Sequence, residues 1–217
     1  QRLEELARQG SRAVEQALDL IEGAGREVAA EDDDAEAAYR ALVTSRRHRV
    51  EHCALPTEED LRRLVENRIV AASSTAFIHE LGDSYCRNLG PQRMARTYPM
   101  RTFLDRGILA PSNSDFPVTT ANPWLGISAC VTRTTVSGQV ADTVQNVTVA
   151  EALDAYTVEA AKASFDEDRL GRIEEGFLGD LVLLDRNPFD ADPSELKDVT
   201  AELTVCDGRI VHRTDAV

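Results

Sequence analysis

The sequence predicts an α/β fold with a parallel sheet, followed by a β-rich C-terminal part. Up to about Phe165, short apolar runs alternate with segments of helical periodicity. This alternation is typical of parallel strands joined by crossover helices. Beyond residue 165, short apolar runs are separated by turn signals instead. We therefore expect two parts, residues 1–165 and residues 166–217. The strand candidates of the first part are too few to close an eight-stranded barrel by themselves.

Composition and charge exclude several classes of protein. Lys plus Arg amount to 24 and Asp plus Glu to 38 among 217 residues, so the net charge is −14. Such an acidic chain repels phosphate groups, and we expect neither nucleic acid nor a membrane as a partner. The 4 cysteines are far apart and form no Cys-x-x-Cys pair. This spacing argues against a disulfide scaffold and favours the reducing cytoplasm.

The N-terminal third begins with a helix, since apolar residues recur at helical spacing over 1–22. The sequence starts inside this helix without Met or a signal peptide, so we expect a longer natural chain. The polar stretch 22–35 predicts a loop. A short strand is predicted over 49–53, and Thr57 then caps a helix that ends near Asn67.

The middle of the chain predicts a strand over 69–73 and then a long loop over 74–101, of the kind that often covers a binding site. A short helix over 100–106 leads to a third strand over 108–110. Two further helices follow, and these predicted segments cover 124–133 and 148–164. The second of these starts at a capping box that begins with Thr148.

The C-terminal part predicts strands and turns. The fully apolar run 181–184 predicts a buried strand. Asp207-Gly208 stands between two further apolar runs, and this dipeptide favours a type I′ hairpin turn.

Two residues stand at the carboxyl ends of predicted strands, where α/β proteins bind ligands. A neutral imidazole at His52 could bind a divalent metal. Taken alone, however, His52 fits better with a half-buried histidine that hydrogen-bonds to the backbone. Asp115 follows the third strand and could bind a metal or activate a metal-bound water. A turn aspartate bonded to its own backbone explains Asp115 equally well.

His79 lies in the predicted long loop and could reach a substrate there. Solvent-exposed histidines are more common at such positions, so substrate binding by His79 is the less favoured of the two interpretations.

Four motifs occur in order, at 47–53 (RHRVEHC), 77–85 (FIHELGDSY), 89–93 (LGPQR) and 114–118 (SDFPV). In this order they resemble the second half of the metal-dependent amidohydrolase superfamily. The closest branch looks like amidohydrolase family 3, which includes N-substituted formamide deformylases. The run 171–185 (GRIEEGFLGDLVLLD) also resembles the C-terminal signature of the superfamily.

The resemblance implies the second half of a (β/α)₈ TIM barrel plus the C-terminal part of a small composite β-sandwich. It implies that His52 is a metal ligand and that Asp115 is both a metal ligand and the catalytic proton acceptor. It also implies a divalent metal, usually zinc, and hydrolysis of an amide-type C–N bond in a small-molecule substrate such as an amide, formamide or cyclic amide.

The sequence departs from the family pattern at its start. The family's ligands from strands one and four would precede Gln1, and Ala7 stands where the strand-five histidine is expected. The leading hypothesis is therefore the C-terminal half of a metal-dependent amide hydrolase. An N-terminal segment or a second chain would complete its barrel, and assembly into a homo-oligomer stays open. The alternative is a non-catalytic or degenerate subunit or scaffold with the same fold. A free-standing binding module fits least well because it would leave a sheet edge open.

Overall fold

A computed structural model describes the backbone of residues 2–216 and the side chains of residues 11–216. Strands β1 (Arg49–His52) and β2 (Val70–Ser73) pair in parallel, as predicted. The predicted third strand is an extended segment beside β2. The amide of Ala71 donates to the carbonyl of Leu109 at 2.9 Å, and the amide of Ser73 donates to that of Pro111 at 2.8 Å. The three predicted strands therefore lie side by side.

The N-terminal helices run further than the sequence suggests. Helix α1 (Arg2–Ala29) continues through most of the predicted loop 22–35, and α2 (Ala35–Ser45) follows it. A Cβ atom at Gly25 would lie 2.6 Å from Cγ2 of Val43 in α2. The glycine therefore serves close packing between two helices rather than a break, and the prediction of a loop was wrong up to Ala29. Helix α3 (Glu58–Glu66) begins at the predicted cap Thr57.

The predicted long loop 74–101 is largely helical, so that prediction was also wrong. It contains α4 (Ala76–Glu80), α5 (Gly82–Leu89) and α6 (Pro91–Met94), and α7 (Met100–Asp105) follows as expected. Gly90 turns the chain between α5 and α6 with a φ of 71°. Glycine and proline thus mark the ends of short helices here. Buried apolar side chains of the segment form a second, smaller core with Ala129 of a later helix; these are Phe77, Ile78, Met94 and Tyr98.

The remaining helices lie close to their predicted positions. They are α8 (Pro123–Thr132), α9 (Val149–Tyr156) and α10 (Val158–Ala163). The capping box that begins with Thr148 is present, but the chain breaks between α9 and α10 at Thr157. The main core gathers buried residues from α1, α3, both strands, α7 and α8; among them are Leu18, Leu64, Ala71, Phe103 and Ile127.

The C-terminal part contains an antiparallel sheet of β3 (Leu181–Leu184), β4 (Ala201–Cys206) and β5 (Arg209–Arg213) in that order. Asp207 and Gly208 both have positive φ, at 49° and 72°, which confirms the predicted hairpin turn. A 3₁₀ helix (Pro193–Asp198) connects β3 to β4, and its Leu196 joins the main core.

Strand β3 is not buried among the described residues, so this expectation was wrong for them. Leu181, Val182 and Leu183 are 40%, 55% and 47% exposed. Only Leu184 packs partly against the core, because no described segment covers the other three.

The division into parts 1–165 and 166–217 stays a prediction. The two parts are in contact, since the 3₁₀ helix of the second packs directly on α8 of the first. No helix within residues 2–216 has both the length and the hydropathy to cross a bilayer.

Candidate metal centre

His52 and Asp115 lie side by side at the carboxyl end of the parallel sheet. His52 is the last residue of β1, and Asp115 follows the extended segment on the far side of β2. Nε2 of His52 is 4.0 Å from Oδ2 of Asp115. The two side chains are 44% and 40% exposed. The structure thus brings the two predicted ligands together at a site that an ion or a substrate can reach.

The backbone at this place is left-handed at three non-glycine residues. The φ angles are 63° at His52, 44° at Cys53 and 50° at Asp115. Such residues cost conformational energy and concentrate at functional sites. Burial raises the pKa of the Cys53 thiol to about 12. This thiol therefore stays protonated near neutral pH, which makes it a poor metal ligand or nucleophile.

Two polar residues connect the candidate ligands. Nδ1 of His52 is 2.8 Å from Oγ of Ser74, and this hydroxyl donates to Oδ1 of Asn113 at 2.8 Å. The backbone amide of Asp115 donates to the same Oδ1 at 3.1 Å. Residue type and spacing alone did not identify Ser74 and Asn113 as part of this site. One available signal was Asn113 two residues before Asp115, since asparagine often accepts a hydrogen bond from the amide two residues later.

An aromatic wall borders His52. The ring of Phe77 is 5.7 Å from that of His52, Tyr98 is 6.0 Å from Phe77, and Tyr85 is 6.3 Å from Tyr98. Burial raises the pKa of Tyr98, and the charges of Tyr85 and Asp115 raise it further. The Tyr98 phenol is therefore protonated at neutral pH, and it donates its hydrogen to the hydroxyl of Tyr85.

His79, the predicted substrate ligand, makes its contacts elsewhere. Its Nδ1 is 3.1 Å from the carbonyl of Thr134, and its own carbonyl accepts from the amide of Val136 at 2.8 Å. These bonds attach the end of α4 to the segment after α8. Substrate binding by His79 stays a prediction.

An imidazole nitrogen and a carboxylate oxygen are ordinary zinc ligands, and two such bonds of about 2.0–2.2 Å at a tetrahedral zinc place the ligand atoms about 3.3–3.6 Å apart. The 4.0 Å between Nε2 of His52 and Oδ2 of Asp115 is slightly longer, so a small side-chain rotation would bring both atoms to a shared metal. Within the described part of the chain, no group of three or more His, Cys, Asp or Glu residues could hold a metal. Zinc needs at least three protein ligands. The pair therefore fits part of a metal site, and the other ligands would come from elsewhere.

The segment compared with the family's strand-five motif lies in α1, so it is a helix and not a strand end. The side chain of Ala7 itself lies outside those described. Further along α1, Oγ of Ser11 donates to the carbonyl of Leu55 at 2.9 Å, which attaches the helix to the connection that follows β1.

Comparison with known proteins identifies relatives over most of the chain. The model of the amidohydrolase family matches residues 8–212. YtcJ of Bacillus subtilis (strain 168) is 32% identical over 127 residues, which cover 57% of this chain and 24% of YtcJ. The N-substituted formamide deformylase of Arthrobacter pascens is 29% identical over 161 residues, which cover 74% of this chain and 30% of the deformylase.

Solved structures agree at the level of the fold. An uncharacterised metal-dependent hydrolase from Pyrococcus horikoshii OT3 superposes with a TM-score of 0.60 and is 24% identical, covering 75% of this chain and 34% of the hydrolase. Across these three proteins, the chain spans from 24% to 34% of the relative's length.

Proposed function

This chain belongs to the amidohydrolase family, and from that premise we propose that it forms the C-terminal half of a metal-dependent enzyme that hydrolyses amide-type C–N bonds. The family predicted from the sequence is confirmed, and so is the fold class. One observation carries the proposal: His52 and Asp115 come within 4.0 Å of each other at the ends of the two strand segments that flank β2.

In the proposed reaction, the lone pair of His52 Nε2 and the carboxylate of Asp115 would hold a divalent metal, with zinc as the first choice. Such a metal supplies Lewis acidity that lowers the pKa of water toward 7. The Asp115 carboxylate accepts the proton of the attacking water and then donates it to the leaving nitrogen, so that a neutral amine departs instead of the strongly basic amide anion. The aromatic wall would contact the substrate and limit the access of bulk water.

The relatives support a small-molecule amide or formamide as the substrate. The Arthrobacter pascens relative is named for an N-substituted formamide, and another relative is an imidazolonepropionase. We place the enzyme in the cytoplasm, because Cys53, Cys86, Cys130 and Cys206 are all free thiols and free thiols are typical of reducing compartments. An N-terminal segment or a second chain would pair with the free edge of β1.

A degenerate, non-catalytic subunit or scaffold is the second candidate. It is favoured by the small number of metal-binding groups that the described residues bring together. The two candidates differ in an observable way, since only the enzyme needs a bound metal and turnover.

The test uses the complete natural polypeptide in its native assembly. We expect purified protein to contain a divalent metal, to lose C–N bond hydrolysis on a panel of formamides, amides and cyclic amides after chelation, and to regain it with zinc. His52→Asn should remove most of the metal, whereas His212→Asn, on β5, should keep it. A metal-free assembly that is inactive with and without added zinc would favour the scaffold.

A further inference from the structure

A chain of three hydrogen bonds connects the ring of His52 to the backbone of Asp115. It starts at the Asp115 amide, which lies 3.1 Å from Oδ1 of Asn113. A backbone amide can only donate, so the side-chain atom that faces it is the carbonyl oxygen and not the NH₂ group. This contact fixes the orientation of the Asn113 amide.

The next bond fixes the hydroxyl of Ser74. Its Oγ lies 2.8 Å from the same Oδ1 of Asn113. A carbonyl oxygen only accepts, so the single hydroxyl hydrogen of Ser74 points to Asn113. Ser74 is 0% exposed, and solvent therefore does not compete for this hydrogen. The hydroxyl presents a lone pair to its other neighbour, Nδ1 of His52, at 2.8 Å.

We propose that Ser74 and Asn113 are positioning residues that hold neutral His52 as the tautomer with its proton on Nδ1. The lone pair then lies on Nε2, the atom 4.0 Å from the Asp115 carboxylate. Which ring nitrogen carries the proton is set by the hydrogen bond that the nitrogen makes. One asparagine oxygen thus orients both candidate ligands, His52 through Ser74 and Asp115 through its own amide. Only the consequence for metal binding rests on the proposed function.

The direct test is ¹⁵N NMR of histidine-labelled, metal-free complete polypeptide at a pH where His52 is neutral. The resonances of His52 are assigned by their loss in His52→Asn. We expect a protonated Nδ1 and an unprotonated Nε2 in the parent protein. A proton on Nε2 in the parent would overturn the proposal without any further substitution.

Asn113→Leu sharpens the test because it removes the acceptor at similar size. The hydroxyl hydrogen of Ser74 is then free to donate to Nδ1 of His52, so the proton should move to Nε2. The matched control is Ser73→Ala: Ser73 is also 0% exposed, and its hydroxyl has no partner among the described residues. We expect the control to keep the parent tautomer. A folded Asn113→Leu variant in which His52 keeps its proton on Nδ1 would contradict the proposal, since a purely structural role of Asn113 would leave the tautomer unchanged.

Zinc affinity supplies the second readout. Loss of a group that orients a metal-binding histidine typically costs about 10- to 100-fold in affinity. We expect this loss for Ser74→Ala and Asn113→Leu, recovery in Ser74→Thr, and no change in Ser73→Ala. Equal zinc affinity in all four variants and the parent would overturn the metal consequence. If the complete protein binds no zinc at all, the proposed function fails. The tautomer measurement still decides whether Ser74 and Asn113 position His52.

Discussion

Two regions of the molecule differ in how their side chains find partners. One is the carboxyl end of the parallel strands, and the other is the C-terminal sheet. At the strand ends, His52, Ser74, Asn113 and Asp115 are joined by hydrogen bonds of 2.8–3.1 Å. In the C-terminal sheet the backbone ladders are formed, yet apolar side chains of β3 and β5 face solvent. The candidate ligands thus have defined hydrogen-bond partners, whereas no described residue covers these side chains of the sheet.

This difference separates two kinds of incompleteness. Among the described residues, the candidate metal site has too few ligands, but the groups present already have defined partners. In the same part of the chain, no segment packs on side chains of the sheet such as Leu183 and Val211, which are 47% and 63% exposed. Large exposed apolar areas are unusual on a free surface, and we infer that further strands of the complete polypeptide cover these side chains.

The largest effect is expected at the strand ends. Asp115→Asn removes the proton acceptor but keeps the shape, and asparagine tolerates the φ of 50° at this position. We expect hydrolysis by the complete enzyme to fall by about 10²- to 10⁴-fold, with an unchanged melting temperature. Turnover measured on a formamide or amide substrate, together with calorimetry, checks both statements. Near-normal turnover would remove Asp115 from the chemistry.

A buried ion pair gives the next largest effect. Arg133 is 1% exposed, and its guanidinium lies 2.6 Å from Oδ2 of Asp142. It also donates to the carbonyls of Tyr98 at 3.1 Å, Thr97 at 2.8 Å and Met94 at 3.3 Å. One side chain therefore holds the segment that carries Tyr98 in the aromatic wall.

Arg133→Met should destabilise the protein by about 3–5 kcal/mol, because it leaves a buried carboxylate unpaired. The matched variant lies just after β3 of the C-terminal sheet: Arg186→Met breaks the exposed pair between Arg186 and Asp185. Exposed pairs contribute little, so this variant should unfold at the parent's denaturant midpoint. Similar losses of stability in both variants would contradict the expected difference between the buried and the exposed ion pair.

Substitutions of two leucines test whether further polypeptide covers the C-terminal sheet. Leu196 is 0% exposed in the main core, and Leu196→Ala should cost about 2–5 kcal/mol. If further strands cover β3 in the complete polypeptide, Leu183→Ala should also cost more than about 1 kcal/mol, since burial of a leucine contributes about 1.5–3 kcal/mol. Denaturant unfolding measures both. A change within about 0.5 kcal/mol for Leu183→Ala is typical of a surface position and would mean that this face of the sheet is exposed to solvent in the complete polypeptide.

A helix cap gives the smallest effect. Oγ of Thr57 accepts from the amide of Asp60 at 3.1 Å, and the Asp60 carboxylate accepts from the Thr57 amide at 2.8 Å. Thr57→Ala should lower stability by about 1 kcal/mol, while Thr57→Ser keeps the hydroxyl and most of the stability. Equal stability of the two variants would show that α3 is held by packing alone.

The sequence predicted features that depend on local chemistry. The strands over 49–53 and 69–73, the Thr57 cap and the turn at Asp207 all follow from periodicity and residue type. It failed where distant contacts decide the structure. Gly25 suggests a helix break in the sequence, and only its close contact with Val43 shows why a glycine stands inside α1. The segment 74–101 is helical because its apolar residues pack with one another and with Ala129 of α8.

The candidate site was predicted only in part for the same reason. His52 and Asp115 stand out by type and by their position after strands, whereas the connection of Asn113 to His52 runs only through Ser74. Their bond joins residues that are 39 positions apart, and neither residue carries a pattern that predicts it. The apolar run 181–184 indicated a strand correctly, but a run of apolar residues does not say which segment covers it.

Anomalous diffraction at the zinc edge, from crystals of the complete zinc-loaded polypeptide, tests the central claim most directly. The account predicts an anomalous peak about 2.0–2.2 Å from both Nε2 of His52 and an Oδ atom of Asp115, with Nδ1 of His52 still bonded to Ser74. A zinc peak that contacts neither residue, or the absence of a peak between them in active crystals, would contradict it.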